Sequence, residues 1–123
     1  MLHRNRLNKQ PDARPPADVR FTELRVEPWP DGKRVRVHVS LTPFEQNPNL
    51  EALITDSANQ EVAHASIIEI VDPRFVFTLH IRIHPVKGVY TLTASLSYQE
   101  LGTIEERTIS FELSETEDES NAG

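Results

Sequence analysis

The chain has 123 residues, a formal net charge of −6, 37% hydrophobic and 26% charged residues, and no cysteine. That length suits one domain with a single core. The absence of cysteine removes disulfides, thiolate metal sites, iron–sulfur clusters and cysteine nucleophiles together, and the acidic total argues against a nucleic-acid backbone as the main partner.

In chain order, residues 1–18 are polar and basic, with Pro11, Pro15 and Pro16 breaking any helix, and are expected as a disordered tail. No apolar run follows the charged N-terminus, as a signal peptide or a membrane span would require. With Met1 as the natural start, the expectation is a cytoplasmic protein without membrane contact.

Period-two alternation then takes over, with almost no period of 3.6. The first strand falls at 19–27, V-R-F-T-E-L-R-V-E, where Phe21 and Leu24 are out of phase and predict a bulge near Thr22. Asp31-Gly32 turns the chain. In K-R-V-R-V-H-V-S-L (33–41), Val35, Val37, Val39 and Leu41 face one way and Arg34, Arg36, His38 and Ser40 the other. A loop (42–49) leads to a strand at 50–56. S-A-N-Q is a tight connection, with Asn59 suited to a left-handed position.

A fourth strand is expected over 61–71, or two with a break near Ser66, ended by Asp72-Pro73. R-F-V-F-T-L-H-I-R-I-H (74–84) follows, with Phe75, Phe77, Leu79, Ile81 and Ile83 as its core half. The last strands are placed at 88–98 and 105–113, and the acidic segment 114–123 is expected to be disordered. Seven or eight alternating strands predict an all-β, two-sheet antiparallel sandwich over 19–113. A small barrel is the competing architecture, but it asks for more corner glycine than the 4 present.

G-V-Y-T-L-T-A-S-L (88–96) resembles strand F of immunoglobulin-like and fibronectin-type-III-like domains. In those families a tyrosine follows the turn into this strand and bonds back to backbone; Tyr90 is the matching residue. Leu92 stands where antibody domains place a cysteine, so the resemblance is to cysteine-free relatives. L-I-T-D-S-A-N-Q-E-V (53–62) resembles the C–C′ hairpin of bacterial modules of this type. The only tryptophan, Trp29, departs from the antibody pattern, lying in the first turn and not on strand C. The resemblance implies an immunoglobulin-like fold, with strands B and E adjacent, and little about chemistry.

His80 and His84 share a face but lie about 13 Å apart along a strand, too far for one metal; with strands B and E adjacent, His38 could instead face His80 or a near neighbour. Arg34, Arg36, His38, His80 and Arg82 are expected on one outer face, either as a docking surface for an acidic partner, a phosphate or a polysaccharide acid, or as charges neutralised by Glu23 and Glu27 of the first strand. Trp29 either stacks on a sugar or a partner, or folds over an open end of the core.

Carboxylate pairs, serine elbows and phosphate loops are lacking, so no catalytic residue, cofactor or metal is expected. The resulting expectation is a non-enzymatic binding or assembly module acting on a protein partner through a sheet face, an edge strand or the Phe44–Asn49 loop. The alternatives are a carbohydrate-binding module using Trp29 with Phe44 or Tyr98, and a structural homodimer.

Overall fold

The computed structural model describes residues 12–81 and 88–113. They form β1 (Phe21–Pro28), β2 (Arg34–Leu41), β3 (Asn49–Thr55), β4 (Glu61–Ile67), β5 (Arg74–His80), β6 (Gly88–Tyr98) and β7 (Gly102–Leu113), preceded by one 3-10 turn at Pro16–Asp18. The strands make two antiparallel sheets, ordered β1-β2-β5 and β4-β3-β6-β7. The alternation is the cause. Val35, Val37 and Val39 of the small sheet meet Leu92, Ala94 and Leu96 of the large one, all at 0–1% exposure. The residues between them stay wet.

The out-of-phase Phe21 and Leu24 do produce a bulge: the β1–β2 register shifts between Phe21 and Glu23, so both apolar side chains can face the core. Asn59 adopts φ 68° in the β3–β4 turn, where Asp56 Oδ1 accepts the N–H groups of Ala58 and Gln60. The 61–71 strand stops at Ile67. Glu69 takes φ 54°, its N–H donates to Asn49 Oδ1, and Ile70 is buried with its N–H on Pro48 O. Anchoring Ile70 in the core turns the chain away from β3, and this outweighs the strand pattern.

The last strand begins earlier than 105, because Gly102 at φ 76° opens a tight hairpin that pairs it with Tyr98. Ordered pairing also begins before residue 19: Arg14 bridges Phe44, with Arg14 N–H on Pro43 O and Glu45 N–H on Arg14 O. The tail expectations for 1–11 and 114–123, and those for Arg82, Ile83 and His84, lie outside the described residues.

Two charged side chains point inward. Register places Glu105 opposite Leu96 and Arg107 opposite Ala94, both of them core-facing. At the rim of the sandwich Glu105 Oε1 accepts the Phe21 N–H at 2.8 Å, Arg107 Nη2 donates to Phe21 O at 3.1 Å, and Arg107 Nε reaches Glu105 Oε2 at 3.0 Å. This clasp ties β7 to β1 across one open side.

Candidate functional site

β2 and its neighbours build the outer face of the small sheet. Glu27, Arg36 and Thr78 form one row across β1, β2 and β5; Arg25, His38 and Val76 form the next; Glu23, Ser40 and Arg74 form a third. At the turn end, Arg34 lies opposite His80. Arg34, Arg36, His38 and His80 therefore share a face, as the alternation implies. His38 does not meet His80: their register positions are four residues apart on β2, about 13 Å. Alternation sets parity, but the offset between strands comes from turn length. The two histidines therefore cannot share a metal ion. No group of three metal-ligating side chains is assembled among the described residues.

Trp29 does not cap the core. Its N–H donates to Arg34 O at 2.9 Å, which continues the β1–β2 ladder into the turn. Its ring lies under two guanidiniums, Arg34 at 4.4 Å and Arg36 at 5.0 Å from the centroid. Because Arg34 and Arg36 point outward, the ring is held half-buried on the outer face. The partner aromatics considered with it, Phe44 and Tyr98, sit at the other end of the sandwich. Strand β2 spans 8 residues, so the two ends are about 25 Å apart and form no common platform. Tyr98 is buried, its hydroxyl donating to Gln46 O at 2.7 Å, and burial pushes its pKa up to about 12. Tyr90, the strand-F tyrosine, is also buried and stacks on Phe111 at 6.0 Å; burial and the Asp56 charge raise it.

Much of the face is internally paired. His38 Nε2 lies 2.9 Å from Glu27 Oε1, Arg34 reaches Asp31 at 3.0 Å and Arg25 reaches Glu23 at 3.3 Å. Glu27 is held below the ordinary carboxylate value, first by the His38 hydrogen bond and then by the fields of His38, Arg36 and Arg25. Asp31 is lowered mainly by the Lys33 N–H, then by Arg34. Arg36, like Arg74 and His80 on the same face, stays outside these pairs, and it alone of the three stacks on Trp29. It stands opposite Glu27, yet that carboxylate goes to His38, and Arg36 makes no ion pair among the described residues. The sequence showed the cations but not this arrangement; the proximity of W-P-D-G-K-R-V-R was its one signal.

The large sheet presents a different outer face: His64 and Ser66 on β4, Glu51 on β3, and the row Thr91, Thr93, Ser95 and Ser97 on β6. Ser66 and His64 both bond Glu51, and Ser95 Oγ donates to Glu106. Glu51 is lowered by Ser66 first and His64 second. The inward Glu105–Arg107 clasp was not anticipated, since alternation assigns charges outward.

No family model matches the chain, and no curated protein matches it by sequence. Its fold is similar to a portion of several solved structures. One is a glycosyl hydrolase family 2 member from Bacteroides cellulosilyticus DSM 14838, at 20% identity and TM-score 0.58, covering 77% of this chain and 15% of that one. Another is beta-glucuronidase 3 of Bacteroides uniformis, at 16% identity and TM-score 0.56, covering 76% and 12%. A third is a putative beta-galactosidase from Bacteroides fragilis, at 17% identity and TM-score 0.56, covering 79% and 16%. At these identities the likeness is one of fold. The chain matches only a small, sandwich-sized part of each larger protein. No helix among the described residues is long and apolar enough to cross a membrane.

Proposed function

We propose that this chain is a non-catalytic, immunoglobulin-like binding module whose small-sheet outer face takes an acidic segment of a partner protein at Trp29, Arg34 and Arg36. The observation that carries the reading is Arg36: a cation stacked on an aromatic ring, with its cross-strand carboxylate engaged elsewhere. Stacking pre-orients the guanidinium while leaving its N–H edges available to a carboxylate. A group ordered before binding loses less freedom on binding. The match to a minor, sandwich-sized part of larger glycoside hydrolases also fits an accessory module better than a complete enzyme.

Trp29 is the only tryptophan, so its fluorescence reports on the site. At low salt an oligoglutamate peptide should change the emission saturably. Arg36→Gln should weaken that binding by about tenfold, the loss expected of a charge-assisted hydrogen bond at about 1.4 kcal/mol. Salt near 0.5 M, with a Debye length of only a few Å, should abolish it. An unchanged signal, or equal binding by Arg36→Gln, would overturn the proposal. A response to neutral oligosaccharides but not to oligoglutamate would transfer the site to carbohydrate binding.

A further inference from the structure

The two open sides of the sandwich are defended unequally. On the β1–β7 side, a bulge interrupts β1 at Thr22, Pro28 ends that strand, and the inward Glu105 and Arg107 occupy the Phe21 N–H and C=O. Bulges, prolines and inward charges are the devices that keep a sheet edge from pairing with another chain. On the opposite side β4 is bulged too: Ile54 pairs Ala63 and Thr55 pairs Glu61, leaving Val62 unmatched. β5 has no such device. Between Arg74 and His80 it reads F-V-F-T-L, without charge or proline, and its register with β2 is unbroken. β4 and β5 do not pair, and a groove of about 530 Å³ runs between them, lined among others by Val62, His64, Thr78 and Leu79.

The direction of the β5 amides follows from its flanks. Ile81 N–H donates to Lys33 O, and Leu41 N–H donates to Pro73 O. Hydrogen-bonded pairs alternate along an antiparallel ladder. Phe75, Phe77 and Leu79 therefore turn their backbone groups toward β2. Arg74, Val76, Thr78 and His80 turn theirs out of the sheet edge.

We infer that β5 is a homodimerisation edge: two copies pair antiparallel about a two-fold axis at Phe77, fusing their small sheets into one. The pairing about that axis sets apolar against apolar in the Phe75–Leu79 pair. Phe77 meets its own copy, Phe75 meets Leu79, Val76 meets Thr78 and Arg74 meets His80, so every outward backbone group of these four positions finds a partner. Such an isologous contact closes on itself and does not propagate into a fibre.

Two further observations favour a second copy as the occupant. Phe75 and Phe77 face the core side and stack at 6.1 Å, yet remain only half-buried, whereas Val37 and Val39, their register partners on β2, are at 0–1% exposure. The same two rings from a second copy would supply the missing cover. The edge between Arg74 and His80 also carries no charge, so two chains of net charge −6 can meet there without opposed carboxylates. The outer face used in the proposed acidic docking stays open, and the two readings stand independently.

Amide hydrogen exchange on the full chain tests this directly. As concentration rises from micromolar to millimolar, the Val76 and Thr78 amides should slow, while Phe75, Phe77 and Leu79, already bonded to β2, should not change. Sedimentation equilibrium should show a reversible monomer–dimer equilibrium. Val76→Lys, a substitution at a side chain 50% exposed, should weaken it by about tenfold or more, or about 1.4 kcal/mol. Val89→Lys, at a 48% exposed site on β6, should leave association unchanged. A chain that stays monomeric at millimolar concentration, exchange at Val76 and Thr78 independent of concentration, or a dimer indifferent to Val76→Lys would each overturn the proposal.

Discussion

The two outer faces of this sandwich obey the same alternation and use it differently. The small sheet fills its wet positions with charge: Glu23, Arg25 and Glu27 on β1, Arg34, Arg36 and His38 on β2, Arg74 and His80 on β5. The large sheet fills the corresponding positions with hydroxyls, Thr91, Thr93, Ser95 and Ser97 along β6 and Thr108 and Ser110 along β7, around the carboxylates Glu51 and Glu106. None of its outward positions on β3, β4, β6 or β7 is a lysine or an arginine. A net charge of −6 therefore hides a strongly polarised molecule. One face mixes cations with carboxylates, and the other is acidic, carrying Glu51, Glu61, Glu106 and Glu112 without a lysine or arginine. Fold stability needs only that both faces be wet, so it leaves the kind of polar residue open to function.

Beneath this difference the sheets should behave as one unit, because their cores interdigitate. Leu92→Ala, at a fully buried position in the large sheet, should cost about 2–5 kcal/mol. The cost should appear as one melting transition, followed equally by Trp29 fluorescence on the small sheet and by far-ultraviolet dichroism. Two separated transitions would show that the faces belong to independently stable layers. The next effect down tests the clasp joining them. Glu105→Ala leaves the Phe21 N–H and the Arg107 Nε–H without their acceptor, which should cost about 1–3 kcal/mol. Glu106→Ala, one residue on but directed at the hydroxyl face, should stay within about 0.5 kcal/mol. Equal losses in thermal melts of the two variants would refute an inward role for Glu105.

The sequence made burial legible because burial is a matter of parity. The phases of Val35, Val37, Val39, Leu92 and Leu96, and the slip between Phe21 and Leu24, can be read directly from residue order. Register is not parity. His38 and His80 share a face, but whether they touch depends on where the β2–β5 ladder starts, and the chain between those strands does not announce that. Trp29 was legible as an aromatic in a turn. Its place under Arg34 and Arg36 required knowing that the turn folds the ring back onto β2. Glu105 and Arg107 escaped for the opposite reason: at a rim, an inward position need not be apolar, since a charged side chain there can reach backbone groups of the other sheet. The short left-handed step at Glu69 was hidden because its cause lies in Asn49 and Pro48, some twenty residues away in sequence.

The smallest effect separates the two faces by the origin of their electrostatics. Glu27 and Glu51 are both depressed below the ordinary glutamate value, and both lie beside a histidine on an exposed face. Their folded pKa values lie below the unfolded one, so each stabilises the fold above the unfolded value of about 4.3, and that contribution is lost as pH falls through the folded value. The causes differ. Glu27 depends on His38 first and is further lowered by the cations Arg36 and Arg25, whereas the leading cause for Glu51 is the uncharged Ser66 hydroxyl. Salt near 1 M shortens the Debye length to about 3 Å and screens the distant cations, but it leaves a hydroxyl hydrogen bond in place. Carboxyl NMR titrations in high salt should therefore show the Glu27 pKa rising more than that of Glu51. Ser66→Ala should raise Glu51 and leave Glu27 where it is. If salt moved both equally, or if Ser66→Ala left Glu51 unmoved, the small-sheet face would have no special charge field, and the case for Arg36 as the docking cation would weaken with it.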